Sequence, residues 1–119
     1  MLLRYKKTYE KIAMGLLSFM PSEKGVKRLQ ETIHTYESEA DWQLYLYKKE
    51  DDFIGLVGII MDENDYILNH ITVNPSFRGE GIGKEMVTKL KAMFPTKECK
   101  STEDTDLFLQ KCTQEEGAD

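Results

Sequence analysis

The sequence predicts an α+β fold, and three observations carry that prediction. Short strand-length runs alternate with longer segments whose apolar residues recur every three or four positions. The strand-like runs between Trp42 and Val73 are separated only by tight polar turns, which predicts an antiparallel meander. After Val73, a proline-marked turn leads into a glycine-rich loop and the start of a helix: Pro75-Ser76-Phe77-Arg78-Gly79-Glu80-Gly81-Ile82-Gly83-Lys84.

Taken in order, Leu2 to Lys6 reads as a short edge strand. Thr8 is placed to cap a helix running through Met20, with Ile12, Ala13, Leu16 and Leu17 on one face, and Pro21 ends it. Ser22 caps a second helix to about Ser38, with Val26, Leu29, Ile33 and Tyr36 as its apolar stripe and Lys27 and His34 toward solvent. Trp42 to Lys49 alternates, with Leu44 and Leu46 opposite Gln43, Tyr45 and Tyr47. Phe53 to Met61 is nearly all apolar, as in a central strand buried on both faces, and Gly55 and Gly58 within it mark bulges or close packing. Tyr66 to Val73 feeds the glycine loop. The next helix spans about Gly81 to Met93, with Ile82, Met86, Val87, Leu90, Met93 and Phe94 inward and Pro95 at its end. Thr96 to Lys100 is a short strand. Thr105 to Cys112 is a last helix with Leu107, Phe108 and Cys112 inward. The order is β-α-α-β-β-β-α-β-α.

The 119 residues form one domain, residues 1–112, followed by a polar tail, residues 113–119. Hydrophobic residues make up 40% and charged residues 31%, the balance of a globular chain. A formal net charge of −5 argues against a general nucleic-acid or anionic-membrane binder. Cys99 and Cys112 have no metal-type spacing and read as reduced thiols. The longest apolar run, Ile12 to Met20, is far short of the ~20 residues a membrane span needs, and no secretory cleavage pattern follows it. A cytoplasmic location is expected.

Alternating glycines ahead of a helix let backbone N–H groups approach an anion, and the helix start adds free donors and partial positive charge. Two known phosphate loops do not fit. Lys84 is followed by Glu85 where a nucleotide-hydrolase loop needs Ser or Thr, and Gly79-x-Gly81-x-Gly83 lacks the dinucleotide spacing. An ordinary glycine-rich strand-to-helix turn is the competing reading.

The segment Val73-x-Pro75-x-x-Arg78-Gly79-x-Gly81-Ile82-Gly83 resembles the acyl-CoA-binding segment of the GCN5-related N-acetyltransferases, the GNAT family. Ile54-Gly55-Leu56-Val57-Gly58 resembles that family's third strand, and Thr102-x-x-Thr105-x-x-Phe108-Leu109 stands where the family often has N-x-x-A-x-x-F-Y. The resemblance implies a GNAT fold: a mixed, mainly antiparallel sheet with helices on both faces. It implies acetyl-CoA as cofactor, with the pantetheine arm along the backbone of Ile71, Thr72 and Val73. The pyrophosphate would lie over Arg78, Gly79, Glu80, Gly81, Ile82, Gly83 and Lys84, with the Glu80 side chain turned to water. Thr102 would stand for the family's cofactor-side asparagine.

Acetyl transfer to an amine needs a base and a donor for the thioester oxygen. A strand N–H near Ile71 or Thr72 suits the second role. His70 suits the first, because its ordinary pKa of ~6.5 fits neutral pH; a hydrogen-bonded or solvated strand histidine is the competing reading. Glu37, Glu63 and Asp65 are weaker candidates. Trp42, Tyr45 and Tyr47 line an acceptor pocket or pack across strands. The resemblance also exposes departures. Leu109 stands where the family's acid tyrosine is expected, and the sequence has no residues for the closing strands, so the fold is expected to be truncated at its C-terminus. The expected activity is acetyl transfer to a small-molecule amine. The alternative is a non-catalytic acyl-CoA binder or sensor. An exposed sheet edge would favour a homodimer.

Overall fold

A computed structural model describes residues 1–117, with side chains described through Lys111. Its elements are β1 (Leu2–Arg4), α1 (Glu10–Leu17), α2 (Val26–Ser38), β2 (Trp42–Lys49), β3 (Asp52–Met61), β4 (Asp65–Val73), α3 (Ile82–Met93), β5 (Glu98–Ser101) and α4 (Asp106–Gly117). Short 3-10 turns, Lys7–Tyr9 and Pro75–Phe77, precede α1 and α3. The five strands form one sheet in the order β1-β2-β3-β4-β5. All pairs are antiparallel except β4 with β5. The α+β class and the element order are as the sequence predicts.

Both faces of the sheet are covered. On one, Ala13, Leu16, Leu17, Leu29, Ile33 and Tyr36 from α1 and α2 pack on Leu44, Leu46 and Leu56. On the other, Ile82, Met86, Val87 and Leu90 from α3 pack on Tyr45, Tyr47, Val57, Ile59, Tyr66, Leu68 and Ile71. The alternation of β2 is therefore real, yet Leu44 to Tyr47 are all buried, because each parity meets a different helical layer.

Several element ends differ from expectation. Thr8 sits inside a 3-10 turn and Tyr9 holds the cap position of α1, without a side-chain cap bond. That helix stops at Leu17, before Pro21, and Ile12 faces solvent. α2 starts at Val26 after Gly25, whose φ is 89°, so Ser22 is not its cap and Val26 is exposed. The segment between them folds inward instead, with the Glu23 N–H donating to the Met20 carbonyl at 3.0 Å. Met93 is exposed in the last turn of α3. Leu107 is 79% exposed, because α4 presents Phe108 and Leu109 to the core. The side chain of Cys112 lies outside the described residues, and α4 continues to Gly117, into the segment expected to be a tail.

One irregularity shapes the sheet. Between β3 and β4, Gly58 pairs with His70 and Ile59 with Leu68, so Asn69 is an extra residue in β4. Such a bulge bends its strand and resets which way side chains face. Leu68 and Ile71 consequently both enter the α3 layer, while His70 turns toward α2. Gly58 lies beside the bulge because a Cβ there would collide with the Tyr36 hydroxyl. Gly58→Ala is expected to destabilise the fold by about 1–3 kcal/mol through this overpacking, read as a lower urea midpoint at unchanged slope.

Candidate active site

The glycine loop is built as an open cradle. Asn74 accepts the Ser76 N–H at 3.0 Å and so starts the 3-10 turn that Pro75 rigidifies. Gly79 and Gly81 have φ of 85° and 76°, a region that side-chain-bearing residues avoid. A Cβ at either position would meet no atom within 4 Å, so the space over both is open. Gly81 is also the N-cap of α3 and supplies no side-chain cap. The first bond of the helical ladder is from the Glu85 N–H to the Gly81 carbonyl, 3.0 Å. The N–H groups of Ile82, Gly83 and Lys84 precede it and have no partner in the ladder. Gly83 has a different reason to be glycine, since a Cβ there would enter the Phe108 ring of α4.

Beside this loop, β4 loses its outer neighbour. The β4–β5 pairing runs only from Asp65–Glu98 to Leu68–Ser101. There the buried Thr105 hydroxyl donates to the Leu68 carbonyl at 2.7 Å and accepts the Thr102 N–H at 2.9 Å. Thr105 thus takes the carbonyl that a continued ladder would use. Past it, Ile71, Thr72 and Val73 run without a strand on their outer side. They line a cleft of about 600 Å³ together with Arg78, Gly79, Gly81, Ile82, Gly83 and Lys84, closed by Phe19, Phe77, Phe108 and Lys111.

A second cleft, about 350 Å³, lies beside α2 and is mostly polar. His70, Asn69, Glu23, Thr102, Asp104, Glu31 and Trp42 are among its walls. Here His70 is 5% exposed and bonded at both nitrogens: Nε2 lies 2.8 Å from Glu23 Oε1, and Nδ1 2.6 Å from the Tyr36 hydroxyl. Glu23 is 1% exposed. Its other oxygen accepts from Thr32 Oγ1 at 2.8 Å and Arg28 Nε at 3.0 Å, so the buried carboxylate is fully engaged. A carboxylate at Nε2 requires a donor, which puts the proton there; Nδ1 then accepts from Tyr36, whose oxygen in turn accepts from Asn69 Nδ2 at 3.1 Å. Burial pulls the His70 pKa below its ordinary value, and the Glu23 carboxylate opposes this without reversing it.

Of the residues expected at the cofactor, Ile71, Thr72, Val73, Arg78, Gly79, Gly81, Ile82, Gly83 and Lys84 share the first cleft. Glu80 points away, exposed and lining a separate hollow with Lys49 and Asp52. Thr102 stands apart from these: its backbone is tied to Thr105, and it lines the second cleft. Tyr45 and Tyr47 are core residues, whereas Trp42 packs edge-on against Tyr36 and reaches the second cleft. Glu37 bonds the Tyr5 hydroxyl at 2.8 Å, Asp65 pairs with Lys100 at 2.9 Å and Glu63 is exposed; none of the three lines either cleft. Glu23, Tyr36, Phe19, Phe108 and Lys111 went unrecognised as site residues. Glu23 stands in a polar turn, Ser22-Glu23-Lys24-Gly25, that reads locally as solvent-exposed. Only the need of Gly83 for a close neighbour hinted at Phe108.

The sequence matches the acetyltransferase (GNAT) family over residues 11–110. It is 54% identical over 113 residues, 94% of each chain, to an uncharacterized N-acetyltransferase in the lysA 3′ region of Bacillus methanolicus. The fold resembles an aminoglycoside N-acetyltransferase, AAC(6')-Iy, in complex with CoA: TM-score 0.75, 17% identity, 96% of this chain and 84% of that one. It also resembles the aminoglycoside 6'-N-acetyltransferase AAC(6')-IG of Acinetobacter haemolyticus: TM-score 0.72, 16% identity, 98% of this chain and 88% of that one. The chain belongs to the acetyltransferase (GNAT) family. No helix among the described residues is long and apolar enough to cross a membrane.

The lowered pKa of His70 has a sign that can be measured. The folded protein binds that proton less readily than the unfolded chain, so stability is intact above the unfolded value of ~6.5 and falls as pH drops below it. Between pH 6.5 and 5 the loss is expected to approach, at most, about 1.4 kcal/mol per pH unit. Urea denaturation across this range should show the slope, and His70→Asn should flatten it.

Proposed function

We propose that the protein is an acetyl-CoA-dependent N-acetyltransferase that holds acetyl-CoA in the first cleft and a small amine acceptor in the second. Family membership supports the class of reaction and the cofactor. The observation that carries the reading is the join of two features in one cleft: the stretch of β4 without an outer neighbour, and the uncapped N-terminus of α3. The first offers backbone groups to an extended arm, and the second offers N–H donors and partial positive charge to a pyrophosphate. The open space over Gly79 and Gly81 leaves room for phosphate oxygens.

When bound, acetyl-CoA supplies an acetyl group activated as a thioester. The chain supplies the rest. Arg78 to Lys84 hold the phosphates through main-chain N–H groups, with Lys84 and Lys111 adding positive charge at the cleft wall. His70 acts as base through Tyr36: the Tyr36 hydroxyl passes its proton to Nδ1 as it takes up the proton of the attacking amine, and Glu23 orients the ring and stabilises its charged form. His70 and Ile71 are consecutive in β4, and each lines one of the two clefts, so amine and acetyl group approach from either side of that strand. Among the described residues no tyrosine lines the first cleft, and the departing thiolate is taken to be protonated by solvent.

The carboxylates of Glu31 and Asp104 at the second cleft favour an acceptor carrying further positive charge, as a multiply aminated small molecule does. Aminoglycosides belong in the test panel because structurally similar proteins acetylate them. Arg4-Tyr5-Lys6-Lys7 and Lys11 to Pro21 resemble RibT, the small acetyltransferase-like protein of Bacillus-type riboflavin operons, which places aminopyrimidine flavin precursors in the panel too. The reaction is expected in the cytoplasm. Self-association is expected through the outer edge of β5, where the sheet ends; sedimentation showing only monomer up to millimolar protein contradicts that.

Calorimetry should give a Kd for acetyl-CoA on the order of 10 µM, and no binding would overturn the cofactor reading. A thiol-release assay across the amine panel should identify a turned-over acceptor. In that assay His70→Asn should lower kcat/KM by roughly 10²–10⁴-fold, the usual contribution of a positioned base; unchanged turnover would remove His70 from the mechanism.

A further inference from the structure

Thr72 carries a hydroxyl that the free protein does not use. The residue is 5% exposed, and its Oγ1 has no hydrogen-bond partner among the described residues. Its partner across the sheet is the fully buried Leu56, so the position is a core position. Valine has the same shape without the polar atom, and would be the ordinary occupant of such a place. A buried hydroxyl left unpaired weakens a fold, and native chains rarely leave one without a use.

The surroundings indicate that use. Thr72 lines the first cleft, midway along the stretch of β4 that has no outer neighbour. At one end of the stretch stand the glycine loop and the start of α3; at the other stands His70. An acyl-CoA anchored by its phosphates at the loop extends toward His70 and passes Thr72 with its thioester end. Two polar side chains that bond the β4 backbone on either side of Thr72 are already committed: Thr105 donates to Leu68 O, and Arg78 Nε donates to Val73 O at 3.3 Å. The Thr72 hydroxyl is uncommitted.

We propose that the Thr72 hydroxyl donates a hydrogen bond to the acyl carbonyl oxygen of the bound thioester. It thereby distinguishes acetyl-CoA from CoA, and stabilises the charge that gathers on that oxygen during transfer. This rests on the reading that acyl-CoA binds along β4. A hydroxyl donor placed at such an oxygen acts where negative charge develops, so its effect is larger in turnover than in binding.

Thr72→Val and Thr72→Ser test the assignment by three measurements. Without ligand, Thr72→Val should melt at a higher temperature than the wild type, because the unpaired polar atom is gone. By calorimetry, its Kd for acetyl-CoA should rise about tenfold while its Kd for CoA stays unchanged. Its kcat should fall about 10²-fold. Thr72→Ser, which keeps the hydroxyl, should stay within about threefold of wild type in Kd and kcat. Three results would overturn the proposal: a lower melting temperature for Thr72→Val, equal loss of affinity for CoA and acetyl-CoA, or wild-type values throughout. A wild-type protein that binds neither ligand would instead contradict the cofactor reading on which the proposal stands.

Discussion

The extra residue in β4 is the constraint on which the rest of the site depends. A regular strand would alternate strictly, and the residues flanking position 69 could not serve both helical layers as they do. With Asn69 inserted opposite Gly58–Ile59, Leu68 and Ile71 both enter the α3 layer and His70 turns toward α2. The same region ends the pairing with β5. Thr105 completes the separation by donating its hydroxyl to the last paired carbonyl, that of Leu68. A bulge, a parted pair of strands and a hydroxyl plug together leave a short length of buried strand open along one side. That is a costly feature in an unliganded core and a useful one beside a helix N-terminus.

The polar network behind His70 follows from the same bend. Glu23 is almost wholly enclosed, and its charge is tolerated because three donors, from His70, Thr32 and Arg28, converge on its two oxygens. Tyr36 fills the space that Gly58 leaves and bonds the far side of the imidazole. The histidine is thus held from both sides, neutral and in one tautomer. An isolated strand histidine has no such definition. The network ties the α1–α2 connection to the middle of the sheet. It also separates the apolar, glycine-lined cleft from the acidic one by a single strand.

Much of this was legible in the sequence, for identifiable reasons. Strand and helix periodicity fixed the layers, because burial on one face writes itself into every second or every third and fourth residue. The spacing Val73-x-Pro75-x-x-Arg78-Gly79-x-Gly81-x-Gly83 located the loop, because only glycine tolerates the backbone angles found at Gly79 and Gly81. What was not legible depends on contacts distant in sequence. Nothing local marks Glu23 as buried: its neighbours are Ser22, Lys24 and Gly25, and its partner lies 47 residues away. The α1 and α2 ends were misplaced for a related reason, since the connection folds inward to deliver Glu23 rather than to cap a helix. Leu107 is apolar yet exposed, because contact with Gly83 of α3 selects the Phe108 side of α4. The bulge left only a faint trace, in Gly58.

The central claim is that the open stretch of β4 and the start of α3 form one binding surface for an acyl-CoA. Amide hydrogen exchange with and without CoA tests it most directly. Slowed exchange at Ile71 and Val73, whose N–H groups face the open side, together with Ile82, Gly83 and Lys84, and little change at Glu23, Thr32 and Asn69, is the expected result. Protection confined to the second cleft, or none at the β4 amides when CoA is saturating, would contradict it.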